Sequence, residues 1–130
     1  MNKPDIFKGF NNHFVEFIED IHSIFPNDKD ITMTRDSLLL LKKSNPKIII
    51  DVWYKNITLK YQSEIQNGNI DFFLTKDYNE DLNMGDQKNN KVLEAIEKLR
   101  KPIKNMGVEN QDKCLKYIQN LTQLSSLYFN

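Results

Sequence analysis

Phe7, Phe10, Phe14, Phe17, Ile21 and Ile24 recur at steps of three and four near the start of the chain, with Ile18 beside them. That repeat is one face of an α-helix. A strand turns its side chains over at every residue and cannot gather this set on one side. Glu16, Glu19 and Asp20 fall off the stripe, Pro4 and Asp5 suit a helix start, and Pro26-Asn27-Asp28 ends it. A second helix is expected to begin between Asp30 and Thr34 and to carry residues 38–41. It stops at Ser44-Asn45-Pro46, since the residue before a proline avoids the α region.

Residues 46–76 support two readings. Ile48-Ile49-Ile50 and Val52-Trp53-Tyr54 have high β propensity, and Asn67-Gly68 is a hairpin signal before Ile70-Asp71-Phe72-Phe73-Leu74. Against this, Ile48/Ile49, Val52/Trp53, Ile57, Tyr61 and Ile65 advance by three to five, and a strand over 57–65 would turn charged and polar residues inward. We favour a helix over 46–66, with Asn45 as its cap and Gly68 ending it. A small β-hairpin over 57–76 is the competing arrangement.

Further on, Val92, Ile96, Leu99, Ile103 and Met106 form a clean helical stripe, supported by the pairs Glu94/Lys98 and Glu97/Lys101. Pro102 is expected to kink this helix or end it near Lys101. A last helix should start near Glu109 or Asn110 and carry Leu115, Ile118, Leu121 or Thr122, Ser125 and Tyr128, with Leu124 and Leu127 alongside. Residues 79–90, rich in Asn, Asp and Gly and without periodicity, read as a mobile acidic loop. The expectation is one all-α domain over 1–130, a compact bundle of five or six helices. Phe10, Phe14, Phe17, Ile21, Leu38, Leu41, Val52, Trp53, Ile57, Phe72, Phe73, Ile96, Leu99, Ile103, Ile118 and Leu121 should fill its core.

Charge narrows the function classes. Lys plus Arg is 18 and Asp plus Glu is 18, so bulk electrostatic coating of nucleic acid is not expected. No apolar run approaches the ~18 residues of a membrane span. Met1-Asn2-Lys3-Pro4-Asp5 has no apolar signal segment, and one cysteine, Cys114, cannot form an internal disulfide; both suggest an intracellular setting.

The motifs for chemistry are weak. His13-x-x-Glu16 with His22 two turns on has metal-ligand spacing, but no second histidine motif completes a site. Segments starting at Asp28 and Asp77 resemble calcium loops, yet have Met33 or Leu82 where the turn glycine belongs and Leu39 or Lys88 where the bidentate glutamate belongs. Cys114 sits beside an apolar face and reads as a small buried hydrophobe. Neither a phosphate-binding glycine loop nor a nucleophile elbow is present. The expectation is a non-enzymatic protein with no cofactor and no metal.

Two surface readings remain. Leu121, Leu124, Leu127, Tyr128 and Phe129 span more than one helical face, so Leu124, Leu127, Tyr128 and Phe129 are candidates for a protein interface, with a partner protein or by self-association. The alternative is a nucleic-acid-binding accessory protein using Lys-rich clusters at 42–60 and 98–116, with Lys98, Arg100, Lys101 and Lys104 as the contact residues. With only two arginines, Arg35 and Arg100, such a surface suits phosphate contact better than base reading.

Phe25-Pro26-Asn27-Asp28, Asn45-Pro46-Lys47, Asp71-Phe72-Phe73-Leu74-Thr75-Lys76-Asp77-Tyr78, Pro102-Ile103-Lys104-Asn105-Met106-Gly107 and Lys116-Tyr117-Ile118-Gln119-Asn120-Leu121-Thr122 together resemble a set of small proteins encoded by giant nucleocytoplasmic DNA viruses, the mimivirus-like and algal-virus groups. The composition, with a single alanine (Ala95) and abundant Asn, Lys and Ile, matches an A/T-rich genome. The resemblance implies a viral protein in the host cytoplasm or the virion, with a viral or host protein as partner. It carries over no functional residue.

Overall fold

The computed structural model describes residues 2–69, 71 and 87–130. Its elements are α1 (Lys3–Ile24), α2 (Lys29–Ser44), α3 (Ile48–Trp53), a π-helical turn (Tyr54–Thr58), α4 (Leu59–Gln66), α5 (Gln87–Lys104) and α6 (Val108–Phe129). The described residues contain no strand. The fold is an all-α bundle. Residues 57–66 are helical, which removes the first strand of the competing hairpin. Phe72, Phe73 and residues 79–86 lie outside the described residues. Residues 87–90, expected in the loop, belong instead to the first turn of α5, which continues directly into the Val92/Ile96/Leu99 stripe.

Local chemistry sets the helix ends. Asn2 Oδ1 accepts the Asp5 amide at 3.0 Å and opens α1. Asp28 Oδ1 accepts the amides of Asp30 and Ile31 at 2.9 and 3.2 Å and opens α2, so the apparent calcium-loop acid is a helix cap. The Asn45 amide donates to the Leu41 carbonyl at 2.9 Å, and Pro46 prevents further propagation. Asn45 does not cap the next helix with its side chain: α3 begins after Lys47, and the Pro46 carbonyl accepts from buried Asn11 Nδ2 at 3.1 Å. At the far end of α4, Gly68 takes φ +83° while its amide donates to the Ile65 carbonyl and that of Asn69 to Glu64. That paired closure needs a left-handed residue, which glycine supplies without steric cost.

The π turn explains the unusual stepping of the third segment. Ile49, Trp53, Ile57 and Ile65 are all buried, at intervals of four or its double. On an ideal α-helix each four-residue step drifts by about 40°, so the stripe would walk off the core face within a few turns. The wider turn absorbs the surplus: the Leu59 amide reaches back five residues to the Tyr54 carbonyl. Tyr61, at φ −134° and ψ 15°, then bends the chain within α4.

Pro102 does not end α5 near Lys101; the helix runs through it to Lys104. Gln111 Nε2 donates to the carbonyls of Ile103 and Lys104 at 3.1 and 3.2 Å, satisfying acceptors that a helix terminus otherwise leaves open. The next helix starts at Val108, directly after Gly107.

One cluster of buried side chains joins all the helices. Trp53 lies at its centre, edge-on to Phe10 and Phe14 with ring centroids 6.3 and 6.4 Å away, and its Nε1 donates to Thr122 Oγ1 at 3.2 Å. Of the expected core, Phe10, Phe14, Phe17, Ile21, Leu38, Val52, Trp53, Ile57, Ile96, Leu99, Ile103, Ile118 and Leu121 are buried. Leu41 is half-buried at the margin, because the wall of α2 that it shares faces a groove.

Candidate functional site

The groove lies between α2 and α5. On α2, Met33, Ser37, Leu40 and Ser44 follow at steps of four, three and four, so they line one face, with Thr34 and Leu41 beside them. On α5 the wall is Lys91, Glu94, Ala95 and Lys98. Three of these positions carry short side chains, Ser37, Ser44 and Ala95. Helices of ordinary spacing cannot close a seam with such residues, and a trough of about 660 Å³ is left. Met33 and Leu40 are each 67% exposed on its α2 side. Single exposed apolar residues are ordinary; these two share the lip of one apolar trough.

A second, polar cleft of about 280 Å³ runs between α1 and α6, lined by His13, Glu16, Asp20, Lys113, Lys116, Tyr117 and Asn120. The Tyr117 hydroxyl donates to Asp20 Oδ2 at 2.7 Å, and the Tyr117 ring lies against His13 and Phe17, with centroids 4.7 and 5.4 Å away. Burial and the bond to Asp20 push the phenol up to about 12. Burial, with Asp20 nearby, also raises the Cys114 thiol to about 12; its Sγ points at Met106 Sδ, 3.6 Å away. Burial lowers His13, an effect that the charge of Glu16 opposes. A thiol and a phenol held protonated at neutral pH are poor nucleophiles and poor bases. Cys114 and Tyr117 are therefore not activated as nucleophile or base.

His22 is drawn to a different seam from His13. Arg35 Nη1 donates to His22 Nδ1 at 3.3 Å, so the ring proton sits on Nε2 and is donated to Thr32 Oγ1 at 3.2 Å. Arg35 also pairs with Asp36 and Glu19. The histidine spacing seen along α1 is thus divided between α6 and α2. Among the described residues no group of three or more His, Cys, Asp or Glu is placed to hold a metal. Nor, among them, is any helix long and apolar enough to cross a membrane.

The four C-terminal interface candidates separate. Tyr128 and Phe129 face inward: Phe7 lies 5.8 Å from Tyr128, Tyr54 stacks on Phe129 at 4.4 Å, and both residues are half-buried. They clasp α6 to α1 and the π turn and keep only part of their surface exposed. Leu127 is 47% exposed and, with half-buried Leu124, lines a shallow depression beside Gly9 and Gln123. The basic candidates separate too. Lys98, Lys101 and Lys104 are exposed, whereas Arg100 is half-buried and paired with Glu97.

Sequence reasoning missed the α2 stripe. Its signal is present, since Met33 and Leu40 are seven residues apart with Ser37 between them, but the run of leucines over 38–41 dominates the pattern there. No family model, no curated protein and no solved structure matches this chain.

Proposed function

We propose that this chain is a non-enzymatic protein-interaction module whose docking surface is the α2/α5 groove. The observation that carries this reading is the apolar trough with exposed Met33 and Leu40 on its lip. A well-formed apolar concavity with a few polar groups is the usual form of a binding site. The protonated state of Cys114 and Tyr117 supports the non-enzymatic part. The setting is that implied by the sequence resemblance: a viral protein acting in the host cytoplasm or packaged in the virion, bound to a viral or host protein.

The test compares co-purification across variants of the intact chain. Leu40→Asp with Met33→Asp is expected to abolish retention of the partner while the thermal melt is unchanged, since both side chains are exposed. Lys101→Glu with Lys104→Glu, and nuclease treatment, are expected to leave it intact. Retention that survives the first pair and disappears with nuclease overturns the reading.

One observation favours nucleic acid as a second reading. Lys98 shares the groove with Ser44, beside Lys42 and Lys43 at the end of α2, so parts of both Lys-rich clusters lie on adjoining helices. Phosphate binding there requires affinity to fall steeply with salt. Nanomolar, salt-sensitive binding of DNA or RNA that Lys101→Glu with Lys104→Glu weakens for all sequences alike would establish it.

A further inference from the structure

We infer that the α2/α5 groove receives a single amphipathic α-helix of another protein, with an apolar stripe of about three turns and acidic flanks. The inference rests on the interaction reading above and names the partner's chemistry. The groove has the length for it. Met33 to Ser44 spans eleven residue steps, or about 16 Å of helix. That accommodates anchors at i, i+4 and i+7 of a helix laid along the seam, the usual pattern for helix-in-groove recognition. The groove also has the shape. Two neighbouring helices with short residues facing the seam form the trough into which a third helix packs in a bundle.

Charge decides the partner's flanks. The α5 wall carries Lys91 and Lys98 against one acid, Glu94. On α2, Asp36 is held by Arg35 at 3.1 Å, and Lys43 is exposed next to Ser44. The rim is therefore positive around an apolar floor. Nucleic acid would have to lay phosphates along that apolar floor and past Glu94. A second copy of this chain, docked through the same surface, would set the lysines of one rim against those of the other. An acidic amphipathic helix suits both the floor and the rim.

The experiment uses the intact chain and two fluorescein-labelled synthetic peptides of fifteen residues. Both carry leucines at i, i+4, i+7 and i+11; one has glutamates on its flanks and its twin has lysines. Fluorescence anisotropy is expected to give at least tenfold tighter binding of the acidic peptide. Lys91→Glu with Lys98→Glu should reverse that order, and Leu40→Asp should weaken both peptides at least tenfold while the circular-dichroism melt is unchanged. Equal binding of both peptides, lost in Leu40→Asp, overturns the acidic partner and leaves the interaction reading standing. No binding of either, with Leu40→Asp abolishing self-association in ultracentrifugation, assigns the groove to a second copy and overturns the inference. Binding that emerges only after Phe72→Ser with Phe73→Ser assigns the groove to the chain's own Ile70-Asp71-Phe72-Phe73-Leu74 segment and likewise overturns the inference. No peptide binding, together with partner retention indifferent to Leu40→Asp, overturns both readings.

Discussion

The α1/α6 seam and the α2/α5 seam are built from helices of similar length, and they differ in what faces across them. On the inner side of α1, large rings pack against its neighbours: Phe10 and Phe14 meet Trp53 of α3, while Phe17 meets Tyr117 and Phe7 meets Tyr128 of α6, the polar cleft lying at the seam's outer edge. One buried polar pair, between the π turn and α6, is matched. With its proton donated to the Thr122 carbonyl at 2.9 Å, Ser125 Oγ accepts from Thr58 at 2.6 Å. Between α2 and α5, Ser37, Ser44 and Ala95 face a trough among the described residues. Helix pairing alone therefore does not close a bundle. Side-chain volume at the facing positions decides whether a seam becomes core or binding surface.

The largest contrast should come from truncating one side chain in the ring-packed core beside α1 and one at the groove. Trp53→Ala is expected to lower the unfolding free energy in urea by about 3–5 kcal/mol, through lost burial and the cavity left among Phe10, Phe14 and Thr122. Leu40→Ala, at 67% exposure, should stay within about 0.5 kcal/mol. Comparable losses for the two would mean that the groove is filled in solution and would erase the difference between the seams.

A smaller effect probes the matched hydroxyls. Thr58→Val removes the donor that Ser125 Oγ accepts from, leaving it only its bond to the Thr122 carbonyl, and should cost about 1–3 kcal/mol, whereas adding Ser125→Ala should recover part of that loss, because two apolar groups need no partner. Additive losses would show that the two hydroxyls are not coupled.

The smallest effect is a pH dependence confined to the α1/α6 seam. Cys114 and Tyr117 bind their protons more tightly folded than unfolded, with values rising from 9.0 and 10.0 to about 12 in each case. The stability that they support is complete below the unfolded values and is lost as pH climbs towards about 12. His13 has the opposite sign. Its folded value is lowered, so its contribution is present above 6.5 and is lost as pH falls through the folded value. Urea midpoints across pH should decline at both ends, and Tyr117→Phe should flatten the alkaline limb. An alkaline limb unchanged in Tyr117→Phe would place its origin elsewhere in the chain.

Much of this molecule is legible from residue order. The steps of α1 identify its buried face because a helix repeats every 3.6 residues wherever it packs. Asp28 and Pro46 mark the helix ends for reasons confined to a few bonds. Pro102 misleads for a complementary reason. Its local cost is real, but Gln111, across the turn, caps the last carbonyls of α5, and local preference cannot register a partner from the next helix. The π turn shows in the sequence only as a recurring interval of four.

The candidate site divides in the same way. Periodicity indicates that the C-terminal segment has apolar residues to spare, yet which of them stay outside depends on neighbours distant in sequence. Phe7 and Tyr54 cover Tyr128 and Phe129, whereas Leu127 is 47% exposed among the described residues. The groove arises from Ser37 and Ser44 meeting Ala95 and Lys91 across some fifty residues of chain. Residue order alone set the helices, their inward faces and most of their ends, because those follow from backbone repeat and short-range hydrogen bonding. Tertiary packing settled which apolar residues remain exposed and where the open seam lies, because burial is a property of the facing surface as much as of the residue.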